Sequence, residues 1–185
     1  MYHKFHYDKN ERLRTQDPLK ILMDIGLKRG DVFMDIGSND GFFTIPASKI
    51  VGKEGQVYAV DIDEEAIEKL KGYLKDMQIF NVETFISQGE DFLIDKNIAD
   101  IVFLGTVLHD FSAPIKVLKN AFLMLKEEGV LIDFDWKKKD TQIGPPMDIR
   151  LSEDEASLMI SKANFSKIER IDISGNFYEI IGTKG

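Results

Sequence analysis

The stretch that decides the fold reads Val32-Phe33-Met34-Asp35-Ile36-Gly37-Ser38-Asn39-Asp40-Gly41. Its first half is a short apolar, β-favouring run, and two glycines bracket the three polar residues that follow. Glycine has no Cβ, so Gly37 and Gly41 allow a sharp turn and the close approach of a ligand to the backbone. A helix is expected immediately afterwards, over 42–49 despite Pro46, and its first turn presents unpaired N–H groups to whatever occupies the turn. The segment therefore reads as a strand, a tight turn and a helix. Such turns are common, and alone this one says no more than that a nucleoside-bearing ligand can be accommodated.

Working outward, strand-like runs over 32–36, 57–61, 82–87, 100–105 and 130–134 alternate with helical patterns. Dense apolar strands of this kind suit a parallel sheet covered on both faces. Residues 64–77 place Ala66, Ile67, Leu70, Tyr73, Leu74 and Met77 at helical spacing behind Asp63, a natural N-cap. A second helix is expected over 112–126, stopping before Gly129. A third opens with the capping box Ser152-Glu153-Asp154-Glu155 and ends near Ala163-Asn164. Two further strands, 167–173 and 177–183, are joined by Ser174-Gly175-Asn176 in the manner of a hairpin. Near the start, Pro18 begins a helix that ends at Gly26, while residues 1–17 carry no assignable pattern. The expectation is an α/β fold: seven strands, mostly parallel, helices on both faces, and an antiparallel hairpin at the C-terminus.

At 185 residues, one domain that buries roughly 70% of its unfolded surface is expected. It divides into an N-terminal cover segment and helix (1–29), a ligand-binding core (30–135), a loop (136–150) and a C-terminal helix and hairpin (151–185). That loop contains Gly144-Pro145-Pro146 and is long enough to suggest a lid or substrate wall. The absence of cysteine removes disulfides, thiolate metal sites and cysteine nucleophiles together. The 24 basic and 32 acidic residues give a net charge of −8, which disfavours a nucleic-acid backbone as partner; Lys137-Lys138-Lys139 reads as a solvated face. No apolar run reaches the ~20 residues of a membrane span, and the first residues do not resemble a secretion signal, so no membrane insertion and a cytoplasmic location are expected. No metal-ligand spacing is present among the histidines and acids.

A second feature supports the loop. Asp61 ends the second strand 20 residues beyond Gly41, the spacing at which a carboxylate commonly accepts the ribose hydroxyls of a nucleotide cofactor. From about Leu19 onward the chain resembles the class I S-adenosylmethionine-dependent methyltransferases, most of all their ubiquinone/menaquinone-biosynthesis type. Residues 35–41 resemble the first motif of that family, Val57-Tyr58-Ala59-Val60-Asp61-Ile62-Asp63 the second, and Gly89-Glu90-Asp91 the adenine-recognising segment. Residues 99–105, Val107-Leu108-His109-Asp110 and 123–129 resemble later segments in the family's order.

The resemblance implies that Asp35, Gly37, Ser38, Asn39 and Gly41 hold the methionine end of S-adenosylmethionine, Asp61 the ribose, and Ile62, Glu90 and Asp91 the adenine, with Gly105 at the end of strand four completing the pocket. Asn39 stands where the family usually has glycine. Asn tolerates a positive φ, so the turn can survive, with a side chain to place near the cofactor. A nicotinamide enzyme would instead show Gly-x-Gly-x-x-Gly, and Asp40 would repel a pyrophosphate.

The expected reaction is methyl transfer to a small organic acceptor, leaving S-adenosylhomocysteine. The alternatives are a non-catalytic S-adenosylmethionine-binding protein and a nicotinamide-dependent oxidoreductase. Positioning alone supplies much of the rate in such a displacement. If the acceptor must lose a proton, His109 is the expected base, with Asp110 orienting it or capping the next helix. Asp133 and Asp135 are candidates to line the pocket or to sit solvated at the sheet's edge. Trp136, Met147, Phe5, Tyr7 and Tyr178 are candidates for the acceptor wall. The N-terminal segment, with Arg12 and Arg14, is expected to close over the cofactor beside the 137–150 loop.

Overall fold

The computed structural model describes residues 9–173 and 175–185. Its frame is one seven-stranded sheet of β1 (Val32–Ile36), β2 (Gln56–Asp61), β3 (Val82–Ile86), β4 (Ala99–Gly105), β5 (Leu125–Trp136), β6 (Ser166–Ile173) and β7 (Phe177–Thr183), in the order β3-β2-β1-β4-β5-β7-β6. The first five strands are parallel, and β7 inserts antiparallel between β5 and β6. Among the described residues six α-helices accompany it: α1 (Lys9–Thr15), α2 (Pro18–Asp24), α3 (Thr44–Val51), α4 (Glu64–Asp76), α5 (Pro114–Met124) and α6 (Glu153–Lys162). Among the described residues no helix is long and apolar enough to cross a membrane.

Local chemistry explains most of the boundaries. The carboxylate of Asp63 accepts from the backbone N–H groups of Glu65 and Ala66 at the start of α4, and Ser152 and Glu155 close a reciprocal capping box on α6. Asp17 caps α2 in the same way, ahead of Pro18 at its first position. Helix α3 starts at Thr44, two residues later than the apolar pattern suggests. Pro46 thus falls in the first turn, where its missing N–H costs no intrahelical bond. Helix α5 stops at Met124, and β5 begins directly at Leu125, five residues before its apolar run. The cause is distant in sequence: Glu128 N–H donates to the Lys184 carbonyl and Lys184 N–H to that of Gly129, both at 2.9 Å, which ties 126–129 to the end of β7 around an irregularity at Glu128, whose φ is 61°.

Alternation along the strands sorts side chains onto two faces. Phe33, Val57, Ile101, Phe103, Ile132 and Phe134 pack with Leu22 of α2 and Ala47 and Val51 of α3. Met34, Ile36, Val60, Val102, Leu104 and Leu131 pack with Leu118 of α5 and Ile160 of α6. Helices cover both faces, and the sequence of crossovers reverses between β1 and β4. The carboxyl ends of those two strands diverge into the crevice where ligands of open α/β sheets bind.

Candidate active site

The turn after β1 is built from inside the sheet. The N–H groups of Gly37 and Ser38 donate to the Val60 carbonyl at 2.8 and 3.0 Å, pinning the loop to the end of β2. Gly37 has φ +83° and Gly41 φ +91°; a Cβ would lie 2.6 Å from Val107 at the first and 2.4 Å from Leu70 at the second. Conformation thus requires glycine at both positions, and at Gly37 space does too, whereas at Gly41 only the tip of the Leu70 side chain stands in the way. Asn39 occupies the left-handed region with φ 48°, as its residue type allows. Its carboxamide oxygen accepts from the Asp40 N–H at 2.7 Å, so the side chain is folded back onto its own turn. The Ser38 hydroxyl is buried without a partner.

Two carboxylates flank this turn. Asp61 Oδ2 accepts from the Asn39 N–H at 2.7 Å and Oδ1 from the Asp63 N–H at 2.9 Å, so Asp61 shapes the loop it faces. Burial and the charge of Asp63 raise its pKa against these hydrogen bonds. Asp35 is 1% exposed, and its Oδ2 accepts from the Thr44 hydroxyl at 2.6 Å. Burial pushes its pKa up to about 6, with Asp61 adding repulsion and Thr44 and the Arg12 charge opposing. Thr44 is a contributor that the sequence reading missed; its signal was a hydroxyl residue in the first turn of the helix behind the loop. The Arg12 guanidinium on α1 lies 3.9 Å from the centre of the Phe42 ring, next to Gly41, which sets α1 against the loop.

Ile62 is half-buried after Asp61. Glu90 is buried, and its Oε1 accepts from Ser112 N–H and Oγ, both at 3.0 Å, and from Ala113 N–H at 3.2 Å. Helix α5 has no side-chain cap of its own, so Glu90 serves as one from 22 residues away. Burial would raise its pKa, but these hydrogen bonds prevail and lower it. Asp91 is exposed and pairs with Lys116 at 2.7 Å. Gly105 ends β4 against the Phe43 and Phe103 rings.

His109 lies in a short 3-10 turn, Leu108–Asp110, just past β4. Its Nδ1 is 2.8 Å from Asp135 Oδ2 on β5, whereas Asp110 is 3.7 Å from Nε2. The orienting carboxylate is therefore Asp135 and not Asp110, a pairing across 26 residues that no local spacing reveals. Burial lowers the proton affinity of His109, but the charge and hydrogen bond of Asp135, with help from Asp110, outweigh burial and the opposing Arg150 charge and raise its pKa. Asp133 and Asp135 are 0% and 1% exposed, so a solvated place at the sheet's edge does not apply to them.

The 137–150 loop is organised around one cation. Arg150, 3% exposed, donates to the carbonyls of Lys137, Lys139, Ile143 and Pro145 and to the Thr141 hydroxyl. Gly144 packs on the Trp136 ring. Lys137 and Lys138 pair with Asp172 and Glu155, and Lys139 donates to the Gly175 carbonyl, which fastens the loop to α6 and the hairpin. Trp136 and Tyr178 are buried in opposite cores, and Met147 is exposed. Phe5, Tyr7, His3 and His6 lie outside the described residues. A separate cavity of about 330 Å³ opens at the amino end of the strands, but its acids serve structure: Asp31 accepts from Lys28 N–H, and Asp100 from Val32 N–H and Lys126.

Known proteins share this fold. A SAM-dependent methyltransferase from Aquifex aeolicus superposes with a TM-score of 0.90 at 29% identity, over 96% of this chain and 95% of that one. A putative type 11 methyltransferase from Sulfolobus solfataricus gives 0.75 at 25% identity, over 92% and 93%. The ubiquinone/menaquinone biosynthesis C-methyltransferase of Yersinia pestis is 27% identical over 114 residues, 61% of this chain and 45% of that enzyme, so the match spans less than half the length of that relative. A family model described as a methyltransferase domain matches residues 27–178, from the connection after α2 through the loop, both carboxylates and His109 into β7, and the chain belongs to that methyltransferase family.

Proposed function

We propose that the chain transfers a methyl group from S-adenosylmethionine to a small organic acceptor. The observation that carries this reading is the character of the crevice beside β1: two buried carboxylates, an unpartnered Ser38 hydroxyl and two glycines held at positive φ. Anionic groups and a free hydroxyl suit a cationic ligand and would repel a pyrophosphate. When bound, S-adenosylmethionine supplies an electrophilic methyl group on a sulfonium. Asp61 keeps lone pairs for the ribose hydroxyls beyond those given to Asn39 and Asp63. Asp35 and Ser38 face the amino-acid end beside Gly37 and Gly41. Ile62 offers an apolar face to adenine, and Glu90 its carboxylate edge, while Asp91 contributes at the rim.

Methyl transfer is then mainly a matter of orientation, which can contribute roughly 7–11 kcal/mol. Where the acceptor carries a proton, Asp135 holds Nδ1–H of His109 and leaves Nε2 to receive it. Because Asp135 raises the pKa of His109, the base form grows in as pH climbs above the usual histidine value, and the rate should climb with it. The 137–150 loop walls the acceptor side, and the N-terminal segment covers the cofactor, with Arg12 already stacked on Phe42. Incubation with methyl-labelled S-adenosylmethionine and a panel of small phenols, enols, amines and carboxylic acids tests the assignment. Label in an organic product is expected; cofactor binding with no transfer to any class would replace it with a binding role.

A further inference from the structure

Beside the His109–Asp135 pair sit two polar groups that the proposed chemistry does not use. Asp133 is two residues before Asp135 on the same face of β5, fully buried, and neither carboxyl oxygen has a hydrogen-bond partner. The Tyr178 hydroxyl on β7 is buried and faces it from beyond ordinary hydrogen-bond distance. Asp135, by contrast, accepts from the Trp136 N–H at 2.7 Å and faces His109 Nδ1. Among the described residues, the other charged groups that act on the cluster include Asp110 beside His109, Glu153 on α6 and Arg150 in the loop. Two neighbouring buried carboxyls do not both ionise readily, and Asp133 is the one whose oxygens have no hydrogen-bond partner.

We propose that Asp133 is a positioning residue that retains its proton in the working protein, so that β5 presents one negative charge to His109 and not two. A second charge there would hold His109 protonated well beyond neutral pH and take it out of use as a base. Burial and the neighbouring Asp135 push the Asp133 carboxyl well above the ordinary carboxylate range, in keeping with this. The inference rests on the dyad reading, but its tests need no acceptor and no turnover, so the two can fail separately.

With histidines at positions 3, 6 and 109 alone, the imidazole signals of the intact protein can be titrated by NMR with little overlap. Asp133→Asn should leave the His109 midpoint where it is in the parent, while Asp135→Asn lowers it by about one unit or more. A drop in Asp133→Asn comparable to that in Asp135→Asn would overturn the proposal. Infrared spectroscopy of the parent near pH 8.5 does not depend on how the variants fold; Asp35 and Glu179, with pKa values of about 6 and about 7, are then ionised. The parent should retain the carbonyl band of a protonated carboxylic acid, and its absence would equally overturn the assignment. Loss of that band in Asp133→Asn but not in Asp61→Asn distinguishes Asp133 from the other buried acid with a raised pKa.

Discussion

In the proposed function, Asp35 serves a ligand at the expense of the fold. Its carboxyl is sealed beneath the loop with one hydroxyl donor, and its pKa of about 6 means that the folded chain binds a proton the unfolded chain releases near 3.8. Stability from this group is therefore lost as pH rises through that window, by up to about 3 kcal/mol. Asp35→Asn keeps an acceptor for Thr44 without the charge. Urea denaturation of the ligand-free protein should find the variant more stable at pH 7.5 and indistinguishable near pH 4, while its affinity for S-adenosylmethionine falls. In the parent, that affinity should weaken as pH drops through about 6, since a cationic ligand needs the ionised form. The place of Asp35 at the head of the Gly37–Gly41 turn was legible in the sequence; its desolvation was not, because burial at 1% exposure, with the Thr44 hydroxyl as its donor, arises only on folding.

At the scale of elements, short-range signals were read well and long-range ones were not. Asp63 and the Ser152–Glu155 box cap the helices that follow them, because a cap acts within one turn. The cap of α5 comes instead from Glu90, and the extension of β5 from Lys184, contacts made by folding and invisible to any local pattern. Glu90→Ala should cost about 1–2 kcal/mol of stability by uncapping α5, measurable by chemical denaturation, and should loosen the 106–113 segment that carries His109. The 137–150 loop was expected from its Gly-Pro-Pro, but its internal order comes from the Arg150 fork. Arg150→Lys cannot reproduce five divergent hydrogen bonds, so limited proteolysis should cut within 137–150 in the variant at protease levels that spare the parent. Equal resistance would show that the lysine clamps to α6 and the hairpin suffice.

Across the molecule, βα alternation, one covered parallel sheet and a terminal hairpin followed from period and turn residues, and the family resemblance from motif order. The molecule's charge behaviour emerges from the structure alone. Asp35, Asp133 and Glu179 are buried acids with raised pKa values, and His109 is a histidine with a raised one. All four bind protons more tightly when folded, so each loses its stabilising contribution as pH rises. Differential scanning calorimetry without ligand should show Tm falling from pH 5.5 to 8, opposite to a protein dominated by salt-bridged carboxylates. Three of those groups flank the proposed site, which is where unfavourable burial is expected to be tolerated for function. The most direct test of the whole account is calorimetric titration of S-adenosylmethionine into the intact protein near pH 7.5. One saturable site is predicted, competed by S-adenosylhomocysteine and weakened by a few kcal/mol, on the order of a hundredfold, in a folded Asp61→Ala variant. No saturable heat in the parent, or unchanged affinity in the variant, would contradict it.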